Sequence, residues 1–508
     1  ASAAEAVQLL EQRRKAGDGS ESTTIALALA YTARAQILDN QNDPAGQVAG
    51  KRAAELLRPL VNTPNASIAA RRAYVEVLVR VGFEQLSNNE YEQAARTEQE
   101  AMRHATELGA SDLSDLSMGA YYAEAAAWHV NALISLGRNG DARRSAQEAI
   151  ALAEKVLERR PGYRLALHAL QLLVGEQANI YQIELNPLAS LPYARRAEEI
   201  SLTLMGFDPG NVITLNNMAS ARSNLGDLLW SAGQLRESVG YYRKAVADLA
   251  GATAGGAGFY ITHSYTNSGL VYELAVLGDY TAAGAAIDDG RTYLARLRKL
   301  EPPGSLPVVF VDAIGKWSVA LVAFERDDYA TARHILEGVD NDLSKVKPES
   351  GLQTAQAAGM QFFVADYLAR SAYELHDYRA AEQAAQRALT ARRVLGTQAA
   401  YDRRTLGGLT TWLAMAQARL GKSAEAAKAI APVVRFYREL QARNHGDQWL
   451  PIEFASALYA QALADKPHSA ALLHEALALI DAAPPTIHNL HDIQRWRQRI
   501  TAEQGGAQ

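Results

Sequence analysis

NLGDLLWSAGQLRESVGYYRKAV, residues 224–246, sets small residues among large apolar ones at fixed offsets. With Ser238 as an anchor, Gly233 lies five before it, Tyr242 four after it and Ala245 seven after it. Offsets of four and seven share one face of a helix. A glycine just ahead of such a face marks where a preceding helix stops. The stretch reads as the end of one helix, a tight turn and the start of a second.

The pattern recurs along the chain. NNEYEQAARTEQEAM supplies Ala94 with Tyr91 and Ala101; LGRNGDARRSAQEAI supplies Ala142 with Gly137 and Ala149; LGDYTAAGAAIDDG supplies Ala283 with Gly278 and Tyr280. ERDDYATARHILEGV, LHDYRAAEQAAQRAL, RLGKSAEAAKAIAPV and KPHSAALLHEALAL supply Ala332, Ala381, Ala426 and Ala471, and two weaker matches place anchors at Ala49 and Ala194. The ten anchors lie 44 to 52 residues apart, about 47 on average, and account for nearly the whole chain.

These residues resemble the tetratricopeptide repeat, whose pattern runs from Leu-Gly through a tyrosine and an alanine to a closing proline. Residues 224–245 carry Leu225-Gly226, Leu229, Gly233, Ser238, Tyr242 and Ala245, and prolines close several units at Pro161, Pro209, Pro302 and Pro484. The departure is length, since the family period is about 34 residues and HEAT or armadillo units run about 40–47. The turn residue at a fixed distance before the anchor favours a long-helix tetratricopeptide variant. The resemblance implies an all-α fold, an α-solenoid of about ten antiparallel helix pairs coiled into a right-handed superhelix. AEQAAQRAL, SVGYYRKAV and the closing DIQRWRQRI are similar to C-terminal arrays of bacterial regulators or protein kinases.

Three places break the rhythm. GATAGGAG (251–258) reads as a flexible link, dividing the chain into arrays over 1–250 and 259–508. No lysine follows its glycines, so it is not a phosphate loop. NPLASLPYA (186–194) reads as an irregular helix entry, and Pro432 is expected to bend or end its helix.

Composition narrows the function. Apolar residues make up 48% and charged residues 21% of 508, which is globular. The net charge of −5 argues against a general nucleic-acid surface. The absence of cysteine removes disulfides and thiolate chemistry. No apolar run reaches a membrane span, and SVALVAF (318–324) is among the longest. A soluble chain of cytoplasm or periplasm is expected, and the ASAAEAV start reads as a processed end or the edge of a longer protein. No G-x-S-x-G, H-E-x-x-H or kinase motif is present, so no catalytic set and no cofactor is assigned. His488, His491 and Asp492 could ligate a metal by type, but read first as the polar opening turn of the last helix.

In the resembled family the first helix of each unit lines the concave face. Counting 18, 15, 14, 11 and 8 residues back from each anchor gives the candidate groove. It holds Glu76, Arg80, Phe83, Glu124, Trp128, Asn131, Glu176, Asn179, Asn224, Asp227, Trp230, Tyr265 and Tyr272. It continues through Trp317, Phe324, Phe363, Asp366, Tyr367, Arg370, Tyr373, Trp412 and Met415. Four of the six tryptophans fall on this set, and aromatic side chains with a few polar groups suit a peptide-binding surface. The same tryptophans also suit packing. The family's carboxylate clamp is not assigned, because Asn224 and Arg370 stand alone and the lysine is missing. The expected function is a non-catalytic scaffold binding a protein or peptide segment, with no nucleic acid, as the sensor or interaction region of a larger bacterial signalling protein. The alternative is a small-molecule receptor with an apolar pocket of Trp317, Phe363 and Tyr367.

Overall fold

The computed structural model describes residues 2–40, 43–250, 256–348, 351–394, 400–444 and 446–506. Among them there are helices and turns but no strands. A leading helix, α1 (Ser2–Lys15), precedes ten antiparallel hairpins. Hairpins 1 to 3 are α2 (Glu21–Asn40) with α3 (Ala45–Val61), α4 (Ile68–Ser87) with α5 (Tyr91–Glu107), and α6 (Leu116–Ser135) with α7 (Asn139–Arg159). Hairpins 4 to 6 are α8 (Arg164–Ile183) with α9 (Pro187–Phe207), α10 (Val212–Ser231) with α11 (Leu235–Ala250), and α12 (Ala257–Val276) with α13 (Tyr280–Leu300). Hairpins 7 to 9 are α14 (Leu306–Glu325) with α15 (Tyr329–Leu343), α16 (Gly351–Glu374) with α17 (Tyr378–Val394), and α18 (Ala400–Arg419) with α19 (Ser423–Gln441). Hairpin 10 is α20 (Leu450–Ala464) with α21 (Ser469–Asp481), after which α22 (Pro485–His488) and α23 (His491–Gly506) end the chain. The chain is a helical-repeat solenoid of tetratricopeptide-like hairpins.

Eight hairpins turn on one left-handed residue placed five before the anchor. These are Asn89, Gly137, Leu185, Gly233, Gly278, Asp327, His376 and Gly421, with φ between 60° and 79°. At each, two amides bond back to the last turn of the first helix, as Gly233 N does to Trp230 O (2.9 Å) and Gln234 N to Leu229 O (2.8 Å). This closes the helix end and satisfies its carbonyls. The next residue caps the second helix: Asn186, Asp279, Asp328 and Asp377 each accept an amide three residues on. The tyrosine that follows is a clasp. Where the left-handed residue has a polar side chain, the Tyr91, Tyr329 and Tyr378 hydroxyls bond Asn89, Asp327 and His376.

The opening stretch now has its explanation. The Tyr242 ring lies between α10 and α12, where a Cβ on Gly226 or Gly269 would stand 2.8 or 2.5 Å from it. Ser238 is buried because the helices of its hairpin meet there, and its hydroxyl donates to Gly226 O (2.7 Å). Ser190 does the same to Ala178 O (2.6 Å), so hairpin 4 is anchored on Ser190 and not Ala194, one helical turn later. Two more anchors move. Gly46 replaces Ala49, since Gly46, Gly50, Ala53 and Leu57 form the buried stripe. Ser469 replaces Ala471, which is exposed. The first five anchors, 46, 94, 142, 190 and 238, are then spaced 48 residues apart throughout.

Other expectations are corrected. Pro187 and Pro192 sit within a regular α9, and α19 runs through Pro432 without ending. Of the glycine-rich segment, 251–255 lies outside the described residues and α12 already begins at Ala257. By length and hydropathy α14 could cross a bilayer, but half of the qualifying stretch is buried and it packs as a core helix.

About five hairpins complete one turn of the coil, because α12 packs on α2 and α18 on α8. Successive turns touch. Gln448 N donates to Ser231 O (2.9 Å), Trp449 Nε1 donates to Trp230 O (2.9 Å), and the two indoles stack at 5.3 Å. The first helices of the hairpins surround a narrow lumen.

Candidate functional site

The lumen stripe is clearest on α6, where Ser117, Tyr121, Glu124, Trp128, Asn131 and Ser135 are half-buried and the intervening residues are mostly core. Spacings of three and four keep one face pointed inward. On α8 the stripe includes His168, Glu176, Asn179 and Gln182, and on α10 Asn217, Asn224, Asp227 and Ser231.

At the junction of the two turns the lumen widens into a chamber of about 440 Å³. Of the groove candidates, Asp227, Trp230, Tyr272, Phe324, Asp366, Arg370 and Trp412 line it. Arg370 Nε and Nη2 hold both Asp366 oxygens, at 3.1 and 2.8 Å, and the guanidinium lies over Tyr367 and Trp412. Burial works against its charge, but Asp366 and Tyr367 outweigh it and hold the pKa above the ordinary value. Asp227 is open to lumen water yet walled by protein. That enclosure lifts its carboxyl to about 6, against the hydrogen bond from Tyr242 (2.6 Å). Enclosure likewise raises the Tyr272 hydroxyl.

The remaining candidates lie elsewhere. Trp128 meets Phe83 edge-on at 4.9 Å in hairpins 2 and 3, and Asn131 donates to Glu176 (2.8 Å). Asn224 is exposed in the lumen and Tyr265 is half-buried. Trp317 is a core residue with no acceptor for Nε1, packed on Phe363 and Tyr367. Phe363 is 40% exposed while Tyr367 is buried, and the apolar pocket expected of these three is not what lines the chamber. Tyr373 is buried against Trp412, and Met415 is core.

Sequence reasoning missed the far wall, made by Arg404, Trp449, Glu453 and the last helix. Arg404 is held by Asp447 and by Glu453 (2.7 Å). Helix α23 packs on hairpin 10 and passes the turn ends of hairpins 7 to 9, pairing with each in succession. Arg495 binds Glu325 (3.0 Å) and Asp327 (3.2 Å), Arg499 binds Glu374, and Glu503 binds Arg419 (2.6 Å). Arg499 also lies over Trp496, Trp412 and Tyr373. Ile493, Trp496 and Ile500 bury the other face. The i, i+4, i+8 spacing of Arg495, Arg499 and Glu503 was the available signal. His491 pairs with Asp327 (2.8 Å) and Asp492 with Arg495 (2.9 Å); among the described residues no group of three His, Asp or Glu is placed to hold a metal ion.

The hairpins form a tetratricopeptide-like helical-repeat array around the lumen. No protein-family model matches the chain, and a search of curated proteins finds no match. Among solved structures it is similar to a Rap protein complexed with competence and sporulation factor, with 14% identity, TM-score 0.46, and coverage of 78% of this chain and 94% of that one. It is also similar to a human IFIT1 dimer with PPP-AAAA (13% identity, TM-score 0.42, covering 98% and 94%) and to yeast Tom70 (12%, 0.39, 99% and 93%).

Proposed function

We propose that the chain is a non-catalytic binding module that takes a short polypeptide segment into its lumen. The observation that carries this reading is the chamber. Four of the six tryptophans, Trp230, Trp412, Trp449 and Trp496, line it together with carboxylates and arginines already fixed in ion pairs. Arg370 Nη1 keeps a donor with no acceptor among the described residues, and the Tyr272 hydroxyl faces the same space. Flat aromatic walls with preset donors and acceptors suit a chain that alternates amides and side chains. In this reading the arrays over 1–250 and 259–508 act together as the interaction region of a bacterial signalling protein. A second reading, a small-molecule receptor, is favoured by the chamber volume, which falls in the range of small-ligand sites.

Selection from a random peptide library, followed by fluorescence anisotropy, tests the reading. Arg370→Gln and Tyr272→Phe should each weaken a selected peptide by about tenfold. Unchanged affinity in both variants removes the chamber from the site. A metabolite that raises the melting temperature by mass action while no peptide binds favours the second reading.

A further inference from the structure

The lumen of hairpins 2 to 5 carries one carboxylate on each successive first helix: Glu76, Glu124, Glu176 and Asp227. Few cations answer them. Arg80 is taken by Asp39 and Glu84, and His168 Nδ1 is 3.7 Å from Glu124. Among the described residues, the hydrogen-bond donors to Glu176 are the amides of Asn131 and Asn179, and the donor to Asp227 is the Tyr242 hydroxyl. Enclosure raises the Glu124 carboxyl, and the charge of Glu76 adds to the rise, while His168 and Arg80 oppose it without cancelling it.

A second observation points the same way. Glu98, from α5, is fully enclosed and neither of its oxygens has a hydrogen-bond partner. Its carboxyl lies over Gly82, in the field of Glu124. Gly82 and Glu98 hold the same repeat positions as Gly226 and Tyr242, and the Tyr242 side chain passes between the helices to reach Asp227 in the lumen. Glu98 is therefore a buried, unpartnered carboxyl group at that same repeat position, against Gly82 and in the field of Glu124.

We propose that this half of the lumen binds a basic polypeptide segment, whose Lys or Arg side chains supply the cations that the row from Glu76 to Asp227 lacks. The proposal rests on the lumen-binding reading and names its partner chemistry. Neighbouring helices stand about 8–10 Å apart, so four of them span roughly 25–30 Å. An extended chain covers that in about eight residues, with a basic side chain near every third position. A single compact cation is too short for the row.

The test uses the full chain and a fluorescent decapeptide with lysine at every third position among alanine and glutamine. The comparison peptide carries glutamate at those positions. Wild-type protein should bind the lysine peptide saturably. The triple variant Glu76→Gln, Glu124→Gln, Glu176→Gln should bind it at least about tenfold more weakly. Arg291→Gln, at an exposed residue of α13 outside the lumen, should change that affinity by less than about threefold. The triple variant should melt no lower than wild type, because it loses mutual repulsion.

Equal binding by the triple variant, no saturable binding by wild type, or preference for the glutamate peptide each overturns the proposal. Displacement by spermine at equal charge concentration assigns the row to a free polyamine and also overturns it. If the lysine peptide fails while a library peptide still binds through Arg370 and Tyr272, this inference falls and the lumen reading stands. If no peptide binds, both fall.

Discussion

The lumens of hairpins 2 to 5 and of hairpins 6 to 10 are built from equivalent helices, yet the chain's own last helix lines only one of them. In the second, α23 forms one wall of the chamber, and Arg495 and Arg499 meet the acids at the turns of hairpins 7 and 8. In the first, Glu76, Glu124, Glu176 and Asp227 lie on the inner stripes of α4, α6, α8 and α10, and none of them pairs with α23 among the described residues. The repeat fixes where side chains point, and the charges placed there decide whether the space is closed by the chain itself or left to a partner. A charge removed from the filled half should cost stability, whereas one removed from the open half should not.

The largest expected effect breaks or supports that contrast directly. Arg495→Met leaves Glu325, whose side chain is 6% exposed, without its cation. Breaking a buried pair from one side costs about 3–5 kcal/mol, read as a lower denaturation midpoint. A change under about 1 kcal/mol would make α23 a loosely held helix and erase the difference between the halves.

Next in size is Glu273→Gln, where the two turns of the coil join. Ser238 has one proton to donate and gives it to Gly226 O, so its contact with Glu273 requires the proton to be on the carboxyl. Burial raises that carboxyl to about 9. A folded-state value above the unfolded one means stability is complete below the unfolded pKa, near 4.5, and declines as pH rises toward 9. Glu273→Gln should therefore stabilise by about 2 kcal/mol or more at pH 8 and by little at pH 4.5. Equal effects at both pH values would show that Glu273 is not held protonated.

A third prediction concerns the packing common to both halves. Gly226→Ala in the first turn presses on the Tyr242 ring, and Ala381→Leu in the second overfills a buried contact. Each should cost about 1–3 kcal/mol in thermal unfolding. If only one of the two is destabilising, the halves do not share a packing register.

Much of the fold was legible because its turn chemistry is local. Gly137, Gly233, Gly278 and Gly421 are glycines where left-handed backbone is needed, and aspartates or tyrosines flank several of the others. The anchors at 49, 194 and 471 were misplaced where that signal was missing. Leu185 takes the left-handed conformation without being glycine, Pro44 precedes α3, and a 3-10 turn at Lys466–His468 precedes α21. The candidate site was legible only in part. Positions 14 and 11 before an anchor mostly face the lumen, as Trp128 and Asn131 do, whereas the position 15 before it put Trp317 in the core. The far wall was not legible, because Trp449 meets Trp230 across 219 residues and α23 meets α14 across about 170. Contacts between turns of a coil depend on its pitch, which no local pattern encodes.

The smallest effect separates strain that the chain only tolerates from strain that it uses. His376 and Asp327 both hold left-handed backbone, at φ 62° and 60°, without being glycine. Such a residue carries about 1–2 kcal/mol of strain, part of which a glycine returns as lost chain entropy. His376 bonds only the neighbouring Tyr378 hydroxyl and is exposed, so His376→Gly should gain up to about 1 kcal/mol. Asp327 has the same geometry but grips His491 and Arg495 of α23, so Asp327→Gly should gain nothing or lose stability despite the relieved backbone. If the two substitutions behave alike, the acids at these turns do not hold α23 in place. The filled half would then owe its occupant to the apolar face of Ile493, Trp496 and Ile500 alone.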